Sequence, residues 1–321
     1  MRVGFIGLGL MGSGMTNNLQ KAGHQLVLHD LRRQAAEKLL AAGAEWADSP
    51  KAVAAESEVV VTSLPGPPEF EAVAAGKNGL LEGMKRGQAH FDLSTNSPTV
   101  IRRLHKAYAE KGALLLDSPV SGGPAGAASG KMALWISGDE ASYNKYRPVI
   151  DAMGDQIFYM GDVGAASVAK LVHNLAGYMV NTALAECFTM GVKAGVDPLL
   201  LWKAVRQGAN GRRRTFDTLA EHFLPNHYDP ARFALKLAHK DVSLATQLGK
   251  EVGVPMRLAN LTLEEMTEAL GRGWQARDSR SSMILQQERA GVKVAVAPLG
   301  RPEALSATVP LKPFKAATVV V

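Results

Sequence analysis

A single lysine stands in an unlikely setting. Residues 164–186 read GAASVAKLVHNLAGYMVNTALAE, a run that predicts a helix with small or apolar residues on nearly every side, yet position 170 is a lysine. A buried ammonium is costly unless something compensates it. The next charged residue is Glu186. Asn174 follows at i+4 and Asn181 at i+11, so both fall near the lysine's face. Two roles fit this stretch. Lys170 either snorkels its head to water from the first turn, or it is a desolvated amine that moves protons. His173 is one residue from Asn174, about 100° around the helix, and reads as a packed or surface residue rather than a catalytic one.

A second group of residues suits phosphate. VGFIGLGLMGSGM carries Gly7, Gly9 and Gly12 as G-x-G-x-x-G between an apolar strand and a helix, the setting in which such a run binds a dinucleotide. Gly7 allows the tight turn, Gly9 lets the backbone approach a pyrophosphate, and Gly12 lets helix and strand pack closely. The backbone of Leu10 and Met11 opens the helix, whose free N–H groups and dipole favour an anion. Asp30 closes QLVLHD, about twenty residues on, where a carboxylate bonds ribose hydroxyls and repels a 2′-phosphate. Arg32 and Arg33 follow and could tolerate that phosphate. NAD is therefore the expected cofactor, with NADP as the alternative.

Other strand ends point to the same cleft. VVVTSLPGP ends at Leu64-Pro65 and FDLSTNSP at Ser94-Thr95; ligands of open parallel sheets sit outside such carboxyl ends. Ser121-Gly122-Gly123, in DSPVSGG, can present a hydroxyl and consecutive N–H groups to a carboxylate, or simply form a flexible crossing loop. Lys236, Lys240 and Asp241 read either as a solvated helix face or as cations close enough to lower the amine's pKa.

These residues need an α/β scaffold to hold them. Strand-like runs at 3–6, 25–29, 59–64, 90–93, 114–117, 133–137 and 157–160 alternate early on with helical patterns at 12–21, 33–42, 50–56 and 99–111. That alternation predicts a doubly wound, Rossmann-type parallel sheet with helices on both faces. Strand patterns stop near residue 162. The expected division is a dinucleotide-binding domain at 1–163, a long linking helix at 164–194, an all-helical substrate and oligomerisation domain at 195–290, and a proline- and valine-rich tail at 291–321. Later helices are predicted at 199–207, 215–221, 235–251, 258–270 and 281–290.

The composition is that of a globular protein: 321 residues, 46% hydrophobic and 21% charged. The single cysteine, Cys187, excludes an internal disulfide framework and is expected to be packed and inert. No metal site is expected. The net charge of +6 is spread along the chain, apart from Arg212-Arg213-Arg214. It suits anionic small molecules better than nucleic acid. No membrane span is expected, and with no signal-peptide pattern the sequence reads as cytoplasmic.

Four motifs in order carry a resemblance: GFIGLGLMG at the start, DSPVSGG at 117–123, GAASVAKLVHN at 164–174 and LKLAHKD at 235–241. Together they resemble the β-hydroxyacid dehydrogenase family, over roughly residues 1–290. That family includes 3-hydroxyisobutyrate dehydrogenases, tartronate semialdehyde reductases and, more distantly, 6-phosphogluconate dehydrogenases. The resemblance implies that Lys170 is the essential lysine, with Asn174 as its neighbouring asparagine. It implies that Ser121, Gly122 and Gly123 bind the substrate, that Lys240 is the lysine of the K-D motif, and that Thr95 lies on the nicotinamide side. Imine reductases share the architecture but lack the lysine. The three arginines at 212–214 and the long tail depart from the family and bear on the substrate.

The implied reaction is hydride transfer between a 3-hydroxy acid, such as 3-hydroxyisobutyrate or a β-hydroxy amino acid, and NAD. Lys170 would act as general acid and base, Asn174 would hold the substrate or the lysine, and Lys240 would serve both substrate and cofactor sites. An NADPH-dependent semialdehyde reductase of the tartronate type and a catalytically silent nucleotide-binding module are the alternatives. A small carboxylate is the expected partner, in a homodimer or homotetramer.

Overall fold

The computed structural model of the chain describes residues 1–208, 211 and 219–292. Arg212, Arg213 and Arg214, most of the helix expected at 215–221, and all but the first two residues of the 291–321 tail lie outside them. Two compact units divide the chain. One comprises Met1–Ala183 and Tyr228–Leu285; the other comprises Leu184–His227 and the residues described from Gln286 on.

Six parallel strands form the main sheet of the first unit. They are β1 (Arg2–Ile6), β2 (Gln25–His29), β3 (Glu45–Trp46), β4 (Val59–Thr62), β5 (Ala89–Asp92) and β6 (Leu114–Asp117), in the order β3-β2-β1-β4-β5-β6. Val3, Phe5, Val59, Val60, Val61 and Phe91 are all buried, as expected of strands covered on both faces. The helices between these strands are α1 (Leu10–Lys21), α2 (Glu37–Ala41), α3 (Pro50–Glu56), α4 (Pro67–Ala75), α5 (Leu80–Gly83) and α6 (Pro98–Glu110). Strand order reverses at the β1–β4 pair, so Ile6 and Thr62, which are in register, mark the switch point where ligands bind such sheets.

The chain then departs from simple alternation. The runs expected near 133 and 157 form a separate sheet with a short strand the sequence did not suggest. It contains β7 (Val120–Ser121), β8 (Ala133–Ile136) and β9 (Gln156–Tyr159); β7 is antiparallel to β8, and β8 is parallel to β9. Pro119 follows β6 closely and has no N–H to extend a ladder. Between β7 and β8, where an open loop was one expectation, stands α7 (Gly123–Ser129). Pro124 occupies its first turn and Gly130 ends it at φ 71°. Small residues let α7 close on α1: a Cβ on Gly14 would lie 2.8 Å from the Ala127 carbonyl carbon. Two short helices, α8 (Glu140–Lys145) and α9 (Arg147–Asp151), precede β9.

The 29-residue helix α10 (Ala165–Lys193) is about 43 Å long at 1.5 Å per residue. It contributes Ala165–Ala183 to the first unit. After it come α11 (Pro198–Gln207), α12 (Leu235–Glu251), α13 (Arg257–Gly271) and α14 (Met283–Arg289). On α12, Leu235, Ala238, Val242, Ala245 and Gly249 are buried, a stripe at the three-and-four spacing of an amphipathic helix. Four of them join Leu171 and Leu175 of α10 and Ala259, Met266 and Ala269 of α13 in one core. Cys187 is exposed, not packed. Leu184, Ala185, Phe188 and Thr189 take the buried side of that stretch, and Cys187 faces outward with Ala183, Glu186 and Met190. Among the described residues no helix is long and apolar enough to cross a membrane.

The glycine run makes different demands at neighbouring positions. A Cβ on Gly12 would lie 1.8 Å from the Gly7 carbonyl oxygen, whereas one on Gly9 would meet nothing within 4 Å. Gly12→Ala should therefore destabilise the fold by about 3 kcal/mol or more, and Gly9→Ala should stay within about 1 kcal/mol of wild type. Urea unfolding of the two variants checks this contrast; equal midpoints would contradict it.

Candidate active site

The glycine turn is built as its residues require. Gly7 sits at φ 96°, and a Cβ there would lie 2.2 Å from the Ser63 carbonyl oxygen. Helix α1 then starts at an exposed Gly9, with no side chain capping it and no acidic residue in its first turn. The open N-terminus leaves the backbone at Leu10 and Met11 as anion donors, so these residues fit a dinucleotide pyrophosphate. Asp30 braces the turn: its carboxylate accepts from the Leu8 N–H at 2.7 Å and the Arg32 N–H at 2.9 Å. The Arg32 side chain is exposed, while the Arg33 guanidinium lies 5.4 Å from the centre of the Trp46 ring.

At the ends of β4 and β5 a buried carboxylate organises the turns. Asp92 accepts from Thr62 Oγ1 at 2.8 Å, Ser94 Oγ at 2.6 Å, the Ser94 N–H at 3.2 Å and Asn96 Nδ2 at 3.1 Å. Ser94 Oγ in turn accepts from the Leu64 N–H at 2.9 Å. The turns carrying Leu64-Pro65 and Thr95 are thus tied to one acid. Burial pushes that acid up to about 6, against the pull of its hydroxyl and amide donors. Thr62 spends its hydrogen on the carboxylate, so His90 Nε2, 2.9 Å from Thr62 Oγ1, donates to it; His90 Nδ1 accepts from the Tyr108 hydroxyl at 2.8 Å. Burial holds that imidazole down at about 3, in its neutral form.

The acid at the end of β6 does the same for the lysine helix. Asp117, in register with Asp92, accepts from the Gly164 and Ser167 N–H groups and from Ser167 Oγ, each at 2.8 Å, and also from Ser137 Oγ. It caps α10 and at the same time starts the Ser121–Gly123 segment. Sequence reasoning passed over both acids; the signal was an aspartate closing each of two apolar runs, HFD and LLLD.

Lys170 is buried, 8% exposed. Burial and then Lys240 drive its amine down, and the Asp241 carboxylate pulls it up, leaving it at about 8. Its Nζ lies 5.8 Å from the centre of the Trp135 ring. Asn174 donates to Asp241 Oδ2 at 2.7 Å; neither the substrate nor the lysine is needed to explain where its nitrogen points. Lys240 pairs with Asp241 Oδ1 at 2.9 Å and donates to the Thr95 carbonyl at 3.0 Å. Its stem covers Gly66, where a Cβ would lie 2.9 Å from Lys240 Cδ. Lys240 therefore joins α12 to the turns after β4 and β5, while Lys236 is exposed.

Ser121 is half-buried on β7; Gly122 and Gly123 are exposed, at φ 143° and 62°. His173 Nε2 lies 3.2 Å from Ser121 Oγ. Its ring lies 5.3 Å from that of Trp135. His173 itself is exposed, in keeping with a surface residue. His173 is three residues after Lys170 and so shares the lysine's side of the helix.

Lys170 titration can be read without turnover. In protein carrying ¹³C-labelled lysine, its ε-carbon should titrate near pH 8. Lys240→Ala should raise that midpoint by removing a like charge, and Asp241→Asn should lower it by removing an opposite one. A wild-type value at the ordinary lysine position, or shifts of the same sign in the two variants, would contradict this electrostatic account.

Comparison with known proteins places this geometry among relatives. Residues 2–161 match the NAD binding domain of 6-phosphogluconate dehydrogenase. Residues 164–285 match the family described as NAD-binding of NADP-dependent 3-hydroxyisobutyrate dehydrogenase. The 2-(hydroxymethyl)glutarate dehydrogenase of Eubacterium barkeri is 34% identical over 298 residues, 92% of this chain and 98% of that protein. The NAD-dependent L-serine dehydrogenase of Pseudomonas aeruginosa is 34% identical over 284 residues, 86% of this chain and 95% of that protein. The solved structure of Mycobacterium tuberculosis 3-hydroxyisobutyrate dehydrogenase with L-serine has a TM-score of 0.80 and 28% identity, covering 88% of this chain and 98% of that one.

Proposed function

This chain belongs to the β-hydroxyacid dehydrogenase family, and on that premise we propose that it transfers a hydride between a small 3-hydroxy acid and NAD, with Lys170 as general acid and base. The observation that carries the reading is the state of Lys170: a buried amine held at about 8 beside Asp241 and Lys240. Such a group is partly neutral at mildly alkaline pH, which suits it to take or give a proton.

When bound, the nicotinamide supplies the hydride acceptor for oxidation and the hydride donor for reduction. In oxidation, neutral Lys170 takes the proton of the substrate hydroxyl as the carbon–hydrogen bond of the same carbon breaks and the carbonyl forms. In reduction, the Lys170 ammonium polarises the carbonyl and returns the proton. Ser121 and the N–H groups of Gly122 and Gly123 hold the substrate carboxylate. Asn174 keeps Asp241 in place, and Lys240 sets the Thr95 turn beside the nicotinamide. Gly7, Gly9, Leu10 and Met11 hold the pyrophosphate, Gly12 serves the cofactor by letting α1 pack close to that turn, and Leu64 and Pro65 line the cleft.

Asp30 supports NAD over NADP, because its carboxylate stands at the end of β2, where the adenosine ribose of a dinucleotide binds. The exposed Arg32 supports the alternative, an NADPH-linked semialdehyde reductase. The family matches support a dinucleotide-binding part at 1–163, a linking helix at 164–194 and a helical part at 195–290. A cytoplasmic homodimer or homotetramer completes the reading; Val172 and Val180, exposed along α10, support the assembly.

Purified protein should form NADH from at least one of 3-hydroxyisobutyrate, L-serine, glycerate or 3-phenylserine, and more slowly form NADPH from NADP. Lys170→Ala should lower kcat/KM by about 10²–10⁴-fold while NAD affinity stays within about twofold of wild type. Turnover that survives the substitution would contradict the role of the lysine. Intact NAD binding without turnover of any acid would favour the silent-module alternative.

A further inference from the structure

Thr95 is fastened on both sides by one carboxylate. Asp92 Oδ1 accepts from Thr62 Oγ1 and from the Ser94 hydroxyl and N–H, while Oδ2 accepts from Asn96 Nδ2 at 3.1 Å. Ser94 extends the hold to the Leu64 N–H. Asp92, Thr62 and Asn96 are all buried, so water does not replace a donor that is lost. Among the described residues the bonding partners of Asp92 are all neutral. His90 and Tyr108 connect to it through Thr62, and Phe70 of α4 stacks on His90. Asp117, in register on β6, is taken up by the first turn of α10. Lys240 stops at the Thr95 carbonyl.

Donors on every side make a proton on this group disruptive. Oδ1 faces three hydrogens, so the proton goes to Oδ2, where it meets the Asn96 amide nitrogen. Asn96 can accept it only by turning its amide over. Its Oδ1 then leaves the Ser97 N–H, which it holds at 2.8 Å at the start of α6. Protonation also removes the charge that strengthens the other bonds. We propose that Asp92 is a positioning residue that couples cofactor binding to a proton: its carboxylate holds Leu64 and Thr95 beside the nicotinamide, and its acid form releases them. The inference rests on the reading of those two turns as the nicotinamide side of the cleft. Burial places the group at about 6, and His90, held at about 3, stays neutral on either side of that pH. A cofactor that favours the carboxylate lowers its pKa on binding, so NAD binding releases a proton and weakens as pH falls through 6.

Calorimetry on the full chain, freed of bound nucleotide, tests this with NAD and with ADP-ribose, which keeps the pyrophosphate but lacks the nicotinamide. If binding lowers the Asp92 pKa by about one unit, NAD affinity should fall about fivefold from about pH 7.5 to about pH 5. Near pH 5.5, buffers of different ionisation enthalpy should report release of about half a proton. ADP-ribose should show neither effect beyond about twofold. Asp92→Asn, with folding confirmed by thermal melts, should bind NAD weakly at every pH and release no proton, yet bind ADP-ribose like wild type. Asn96→Ala keeps the carboxylate but cuts its link to the far side of Thr95. It should weaken NAD about three- to tenfold, the order of one hydrogen bond, and leave ADP-ribose unchanged. Wild-type NAD binding that is flat with pH and releases no proton would overturn the inference and leave the cofactor reading standing. So would equal losses for NAD and ADP-ribose in the variants, which would mark Asp92 as merely structural. Failure of wild type to bind NAD, NADP or ADP-ribose would overturn both.

Discussion

The site depends on the cost of burying one amine. Lys170 is 8% exposed, and removing an ammonium from water disfavours its charged form. A carboxylate bonded directly to it would cancel that effect and fix the charge. Asp241 is near enough to pull the lysine up, but it accepts its hydrogen bond from Asn174 Nδ2 and forms its ion pair with Lys240. Lys240 adds a like charge that pushes the other way. The result is an amine set between its two forms by opposed neighbours, none of which is its hydrogen-bond partner. The arrangement demands a fixed register between α10 and α12. Leu171 and Leu175 supply it by packing with Leu235, Ala238, Val242 and Ala245, placing the polar edges of the two helices side by side.

Two acids at adjacent strand ends carry that geometry to the rest of the cleft. Asp117 receives the first turn of the lysine helix, and Asp92 receives the turns after β4 and β5. Both are surrounded by donors, as buried carboxylates must be. The Thr95 carbonyl then meets Lys240, which closes the path back to Asp241. Lys240 thereby links the expected nicotinamide side of the cleft to the charges that tune the lysine.

Much of this was legible in the sequence. Periodicity placed β2, β6, α3 and α12 to the residue, because each is bounded by a turn or cap that residue types reveal. The glycine run, Asp30, Lys170 and Ser121 could be singled out from residue type and position, and four ordered motifs supplied the family. Elements shaped by tertiary pairing were harder to see. Glu45–Trp46 and Val120–Ser121 are strands of two residues that exist only because a neighbouring strand pairs with them. Helix α7 is rich in glycine and alanine and shows its nature only where α1 packs on it. Asp92 and Asp117 looked like the ends of strands, since their donors come from up to fifty residues away in the chain. His173 is exposed, in keeping with a surface residue, and its spacing from Lys170 is what brings its ring within 3.2 Å of Ser121 Oγ. The apolar neighbourhood of Cys187 predicts a packed thiol, and the helix turns it outward.

The most direct test of the central claim is chemical rescue. Lys170→Ala protein would be assayed for oxidation of the preferred acid with added primary amines of similar size and graded basicity. The account predicts that the amines restore turnover, that the restored rate follows amine basicity in the manner of a general base, and that the pH dependence near 8 expected of wild type is replaced by that of the added amine. No rescue by any amine, together with a limb near pH 8 that persists in the variant, would show that the proton is carried by a group other than Lys170.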